Sequence, residues 1–162
     1  MKKIIVLSII LLMLAGFAIT SSAVDVEVTL YADQDIDVGT LTVVVDGDNL
    51  VVTYDITSPW VLGDTHLYVG TDVPKKSAPG RFPYGPDDAS GGVYTISLAG
   101  LGVEAGEILV IAAHAEVTNP TEIDPITLLP REETAWADGT QIRSDKNWAM
   151  YFTFEVPAVV AP

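Results

Sequence analysis

The amino-acid sequence predicts an all-β protein built as a single β-sandwich of seven to eight strands. Three observations support this fold class. Apolar and polar residues alternate along several short segments, turn-forming residues separate these segments, and no segment after residue 23 has a convincing helical pattern. The pattern leaves a jelly-roll or an immunoglobulin-like strand order open. We expect one domain over residues 24–156, followed by a tail at 157–162.

The N-terminal segment has the three parts of a secretory signal peptide. Lys2 and Lys3 supply positive charge, residues 4–18 form an apolar stretch, and Ser21-Ser22-Ala23 offers small residues for cleavage. We expect residues 1–23 to be removed and the protein to be secreted or held at the cell surface. An uncleaved N-terminal membrane anchor is the alternative, because this segment approaches the ~20 residues that span a bilayer.

Charge and cysteine content exclude several classes of function. Without Lys2 and Lys3, 6 basic residues stand against 22 acidic ones, a formal charge of −16. This charge repels nucleic acid and anionic membrane surfaces, so we expect neither as a partner of the mature protein. The chain contains no cysteine, which excludes disulfides, cysteine metal sites and a cysteine nucleophile.

The first half of the domain predicts strands joined by short turns. Residues 24–31 alternate apolar and polar side chains, as a half-buried strand does. Residues 39–45 and 50–56 flank Asp46-Gly47-Asp48-Asn49, which is the clearest hairpin signal in the chain.

An acidic stretch, Asp33, Asp35 and Asp37 before Gly39, lies between the first two of these strands. Clustered carboxylates can bind calcium, but the spacing departs from that of an EF-hand loop. We interpret the stretch as a solvated bend, with a calcium loop as the alternative.

The strongest strand signal is residues 109–117, L-V-I-A-A-H-A-E-V, with one wholly apolar face and one face that carries His114 and Glu116. We predict that this run is the central strand and ends at Asn119-Pro120. Residues 65–69 have the same character, with His66 opposite the apolar face of Leu67.

Two long segments that contain several prolines, 71–92 and 118–131, predict irregular loops. A loop as long as the first is functional or disordered, and its Arg81, Phe82 and Tyr84 indicate that it packs down or presents a binding surface. Lys75-Lys76 in the first loop is a local exception to the acidic surface. Residues 147–156 predict the last strand, and there we expect four large apolar side chains on one face: Trp148, Met150, Phe152 and Phe154.

Several motifs together resemble a family of uncharacterised modules in secreted and cell-surface proteins of archaea and bacteria. The motifs are V-G-T-L-T-V at 38–43, T-H-L-Y-V-G at 65–70, P-G-R-F-P-Y at 79–84, I-A-A-H-A at 111–115, E-T-A-W at 133–136 and the closing residues 147–154. The resemblance covers most of the mature chain. It implies an extracellular setting, and it implies no reaction and no catalytic residues.

The candidate site is His66, His114 and Glu133, with Glu116 in reserve. Imidazole nitrogens and a carboxylate are suitable ligands for zinc or another divalent cation. The alternative is structural, with each histidine bonded to a backbone carbonyl or to Glu133.

Trp136, Tyr84 and Trp60 are candidate ligand-binding residues, because aromatic rings stack against sugars. No G-x-S-x-G motif supports a nucleophilic serine. The sequence therefore favours a non-catalytic, exported protein of the cell surface or extracellular matrix that works in adhesion or assembly. Its expected partner is a surface polymer, a glycan, another extracellular protein or a second copy. A carbohydrate- or divalent-cation-binding module is the alternative, and a metal-dependent hydrolase is the third choice.

Overall fold

The computed structural model describes residues 25–158. The predicted signal peptide, residues 1–23, lies outside the described residues, as do residues 159–162 of the predicted tail. In residues 25–158, no helix combines the length and the apolar character needed to cross a bilayer.

The described chain is all-β, as predicted. Its strands are β1 (Val26–Ala32), β2 (Ile36–Asp46), β3 (Asn49–Ile56), β4 (Val61–Gly70), β5 (Val93–Ser97), β6 (Ile108–Ile123), β7 (Pro130–Ala137), β8 (Thr140–Gln141) and β9 (Met150–Glu155). One helical turn, α1 (Leu98–Leu101), follows β5, and 3-10 turns occur at Pro79–Arg81 and Pro86–Asp88. The described residues thus form nine strands, one more than the eight at most that were expected. The additional strand is β8, which has only two residues.

The strands form an antiparallel β-sandwich whose sheet does not close into a barrel. Hydrogen bonds connect them in the order β5-β3-β2-β1-β7-β6-β9-β8, and β4 pairs with the other edge of β6. One main core receives buried side chains from both halves of this path, including Leu41 of β2, Val52 of β3, Leu67 of β4 and Ile111 of β6. The first strand of this path, β5, meets β4 where the Tyr94 hydroxyl lies 2.7 Å from the Thr65 Oγ1.

The predicted central strand is confirmed as β6. From Val110 to Thr118 it pairs with β4 along one edge, while its other edge pairs first with β9 and then with β7. The alternate residues that face the main core are fully buried or nearly so: Leu109, Ile111, Ala113, Ala115 and Val117. Because paired strands and packed side chains surround it, this run reads as almost continuously apolar.

The predicted end of this strand at Asn119-Pro120 is wrong, because β6 continues to Ile123. Pairing with β4 stops at Thr118, and the register with β7 shifts between Asn119 and Ile123. Pro120 therefore lies in an irregular stretch of the strand, where its missing N–H costs little.

The predicted hairpin is confirmed. Asp46 pairs with Asn49 around a two-residue turn, and Gly47 takes a φ of 56° that favours glycine. In the acidic stretch before it, the side chains of Asp33, Asp35 and Asp37 are exposed in and just after the β1–β2 turn.

The prediction that the four large apolar side chains of residues 147–156 share one face is wrong. Phe152 and Phe154 pack against the main core, but Trp148 and Met150 pack in a second cluster on the other side of β6. The alternation fails because Trp148 precedes β9. Met150 pairs with Gln141 of β8, and pairing with β6 includes Phe152 but not Met150.

The loop formed by residues 71–92 lies along the free edge of β4. The Leu67 N–H donates to the Tyr84 carbonyl at 2.9 Å, and the Tyr84 N–H donates to the Leu67 carbonyl at 3.2 Å. These bonds shield part of an edge strand that could otherwise pair with another chain.

Candidate functional site

The two histidines are direct neighbours on adjacent strands. His66 of β4 and His114 of β6 are paired in register, and their ring centroids lie 5.6 Å apart. Residues directly opposite in an antiparallel pair point to the same side of the sheet. Both imidazoles therefore lie on the side of β4, β6 and β7 that is turned away from the main core, which we call the outer face.

Aromatic side chains cover the imidazoles on the outer face. Trp136 of β7 pairs in register with His114, and their ring centroids are 5.0 Å apart. Phe82, from the loop at residues 71–92, lies edge-on to Trp136 at 6.0 Å, and Trp148 lies 6.5 Å from Trp136. As a result, only 4% of the His114 surface is exposed.

Burial makes His114 a neutral side chain. Desolvation, and secondarily the charge of the neighbouring His66, lowers the pKa of His114 from 6.5 to about 4. The Nδ1 atoms of both His66 and His114 are buried, and neither has a hydrogen-bond partner among the described residues. Two unpaired ring nitrogens on touching side chains are costly, and they are the feature of this site that packing alone does not explain.

Glu133, the third residue of the predicted set, does not join the histidines. It pairs in register with Val117, whose side chain lies in the main core, and Trp136 three residues later lies on the outer face. Alternation along β7 therefore directs Glu133 to the opposite side of the sheet. There its Oε1 accepts a hydrogen bond from the Arg131 Nε at 2.8 Å.

Glu116, the reserve residue, lies two positions after His114 on β6 and therefore points to the outer face as well. Its side chain, however, is exposed. Within residues 25–158, no group of three or more histidine, cysteine, aspartate or glutamate side chains is arranged to hold a metal ion. The site thus offers two imidazole ligands and no carboxylate from the predicted set.

The three aromatic residues predicted to bind a ligand lie in three different places. Trp136 is 4% exposed beneath Phe82. The Tyr84 ring is 6.5 Å from that of Tyr94, and Trp60 lies under the Arg131 guanidinium at 5.9 Å. They form no common platform for a sugar ring, so a glycan-binding role for these residues stays a prediction.

Sequence reasoning missed an apolar surface at the end of the β6–β7 hairpin. Residues 123–130, which we call the hairpin tip, expose large aliphatic side chains: Ile126 is 89% exposed, Leu128 75% and Leu129 61%. The sequence predicts this segment as a proline-containing loop, one of the two long loops expected, with strand edges, to serve adhesion or assembly, but not its exposed aliphatic surface. The spacing of isoleucine and leucine between Pro120 and Pro130 was the available signal.

Asp124 fixes the shape of the hairpin tip. Its Oδ1 accepts hydrogen bonds from the backbone N–H groups of Thr127 at 2.7 Å and Ile126 at 2.8 Å. These donors lower the pKa of Asp124 below its ordinary value, because they stabilise the carboxylate. The Asp124 N–H also donates to the Leu129 carbonyl at 2.9 Å, which closes the turn.

No model of a known protein family, no curated protein and no solved structure matches this chain. The resemblance inferred from its motifs therefore stays a prediction.

We predict that the buried His114 makes folding stability depend on pH. Because its folded pKa of about 4 is below the unfolded value of 6.5, the unfolded chain binds a proton more readily. The neutral His114 therefore contributes fully to the free energy of unfolding above pH 6.5. This contribution is lost as the pH falls towards 4, and the loss is about 3 kcal/mol at most. Urea unfolding at a series of pH values measures this loss.

The matched control is His114→Phe, which keeps an aromatic ring against Trp136 and removes the titrating group. Protonation of carboxylates contributes equally to both proteins, so the difference between the two pH profiles isolates the imidazole. Parallel profiles for the wild type and His114→Phe between pH 4 and 6.5 would contradict the prediction.

Proposed function

We propose that the protein is a non-catalytic exported component of the cell surface or extracellular matrix, and that it works in adhesion or assembly through the hairpin tip. The observation that carries this proposal is the exposure of Ile126, Leu128 and Leu129 at the end of a projecting hairpin. Contiguous exposed apolar groups of this kind mark interaction sites, because water disfavours them.

The rigidity of the turn also supports a binding role. Asp124 holds the backbone of the tip in one conformation, so the tip has less freedom to lose when it binds. Leu128 has a φ of 60°, a left-handed conformation that is rare for a leucine. Such strain is concentrated at functional sites, where it presents side chains in a particular direction.

The charges around the tip indicate the chemistry of its partner. Glu122, Asp124 and Glu132 lie within or beside the tip. The cation next to them, Arg131, is already offset by carboxylates of Glu122, Glu133 and Asp33 at 3.1, 2.8 and 3.6 Å. An anionic lipid surface would be repelled. The complementary partner is a protein surface with an apolar cavity and a basic rim.

A second candidate function is the binding of a transition-metal ion by His66 and His114. The buried, unpaired Nδ1 atoms of both side chains favour it, because neutral imidazole is a ligand for copper, zinc and nickel. Two imidazoles leave coordination positions open, and water or a partner molecule would have to complete the site.

We predict that Ile126→Ser combined with Leu128→Asn lowers binding of the purified protein to the envelope fraction of the cells that produce it by tenfold or more. Asparagine tolerates the left-handed backbone at position 128, so the turn is kept. Co-sedimentation with envelopes measures the bound fraction. The matched control, Ile108→Thr, changes an exposed apolar residue at the other end of β6 and should leave binding unchanged. Equal binding by the tip variant and the wild type would overturn the proposal.

For the second candidate, we predict that Cu²⁺, and less strongly Zn²⁺, raises the thermal unfolding midpoint, whereas Ca²⁺ has no effect. At an ion concentration a hundredfold above Kd, the stabilisation should be about 2.7 kcal/mol. His66→Phe should abolish the shift and Glu133→Gln should preserve it. A shift that survives in His66→Phe would place the ion elsewhere and exclude this site.

A further inference from the structure

The chain carries a basic pocket that is the chemical counterpart of its own hairpin tip. We call the cleft beside the end of β4 the basic pocket; its volume is about 350 Å³. Its rim carries Lys75, Lys76 and Arg81, all of them exposed. These are three of the 6 basic residues beyond residue 23. Among the described residues, none of the three forms an ion pair, whereas Arg131 and Arg143 do.

The floor of the basic pocket is apolar. Tyr68, Val73, Pro74 and Phe82 line it, and Asp72 is the acidic residue in its wall. The Tyr68 hydroxyl donates to the Asp72 carbonyl at 2.7 Å, which ties the start of the loop to β4. Phe82 is held from below by Tyr68 and Trp136, at centroid distances of 5.9 and 6.0 Å. The floor is therefore preformed, and it does not need to be ordered on binding.

The tip and the pocket are complementary in chemistry: each combines apolar groups with charges of opposite sign. The tip projects aliphatic side chains between carboxylates, and the pocket recesses an apolar floor between ammonium and guanidinium groups. Joining them would bury Ile126, Leu128 and Leu129 while it brings Asp124 and Glu132 close to unpaired cations. Apolar burial would supply affinity and the opposite charges would supply orientation.

One molecule cannot bring its own tip to its own pocket. Tyr68 in the pocket pairs in register with Ala112, near the start of β6, while the tip begins at Ile123. At about 3.3 Å per residue these positions are roughly 35 Å apart along the strand. The two surfaces therefore lie at opposite ends of the longest element in the fold.

We propose that the hairpin tip of one copy of this chain inserts into the basic pocket of a second copy. This inference rests on the proposed function and names the partner that the tip binds. Because the two surfaces differ, the contact is head to tail, and each copy keeps one free tip or pocket. Such contacts propagate into a filament, or into a ring where the rotation closes. The contact also uses the few basic groups that an acidic chain can offer to another copy of itself.

Sedimentation velocity on the protein purified after secretion tests the proposal with two complementary variants. The tip variant is Ile126→Ser combined with Leu128→Asn, and the pocket variant is Lys75→Glu combined with Lys76→Glu. The wild type should form species that grow with concentration. Each variant alone should remain a monomer. An equimolar mixture should give a dimer and nothing larger, since one intact tip meets one intact pocket.

Lys146→Glu is the control for charge reversal outside the pocket: it reverses one exposed lysine, which is half of the charge change in the pocket variant, and it should assemble like the wild type. The milder pair Lys75→Ala and Lys76→Ala replaces the pocket variant if charge reversal lowers the thermal unfolding midpoint. A mixture that stays monomeric, or variants that assemble as the wild type does, would overturn the head-to-tail contact.

The result also separates this inference from the proposed function. A wild type that is monomeric at all concentrations, yet still needs its tip to bind envelopes, would refute the second copy as partner and leave adhesion standing. If the wild type neither self-associates nor needs its tip to bind envelopes, the head-to-tail contact and the proposed function are both refuted.

Discussion

The alternation of side chains along β6 is the constraint on which the rest of the structure depends. Its neighbours pair with it along both edges, so the strand cannot slip or rotate without losing two ladders of hydrogen bonds. One set of its side chains, Ile111 and Ala113 among them, completes the main core. The other set places Ala112 and His114 beneath the aromatic cover of the outer face. A one-residue shift would exchange these sets and bury the imidazole among the aliphatic side chains of the main core.

Alternation along a single segment predicted the features that depend on one strand or one turn. It failed for the features that depend on which strands pair with each other and in which register. The all-β class, the hairpin around Gly47 and the shared face of His66 and His114 all follow from patterns read along one strand. The register of β7 against β6 places Trp136 opposite His114, and no local pattern contains that register; once it is known, alternation along β7 directs Glu133 to the core side. Trp148 was misplaced for the same reason, because the alternation expected of it requires a pairing that begins only after it.

The end of β6 and the exposed apolar surface beyond it were not predicted for a different reason. Pro120 is a valid signal that regular pairing stops: pairing with β4 ends at Thr118, and Pro120 lies in the irregularity between Asn119 and Ile123 on the β7 side, where the strand tolerates it. The prolines of this segment predict a loop, and a loop prediction does not say how the aliphatic residues between them are presented. Hydrogen bonds to the Asp124 carboxylate fix that segment as a turn, so its aliphatic residues form a defined surface at the far end of β6. The cluster of Lys75, Lys76 and Arg81 lies towards the other end of that strand.

The most direct test of this account is a nuclear Overhauser measurement on isotope-labelled protein at neutral pH. The account predicts cross-peaks from the His114 imidazole protons to the Trp136 indole and to the His66 ring, since these rings lie 5.0 and 5.6 Å apart between centroids. It also predicts none from His114 to the methyl groups of Leu30 or Leu41, which lie in the main core. Cross-peaks from His114 to those core methyl groups, with none to Trp136, would show that β6 is turned over and would contradict the account.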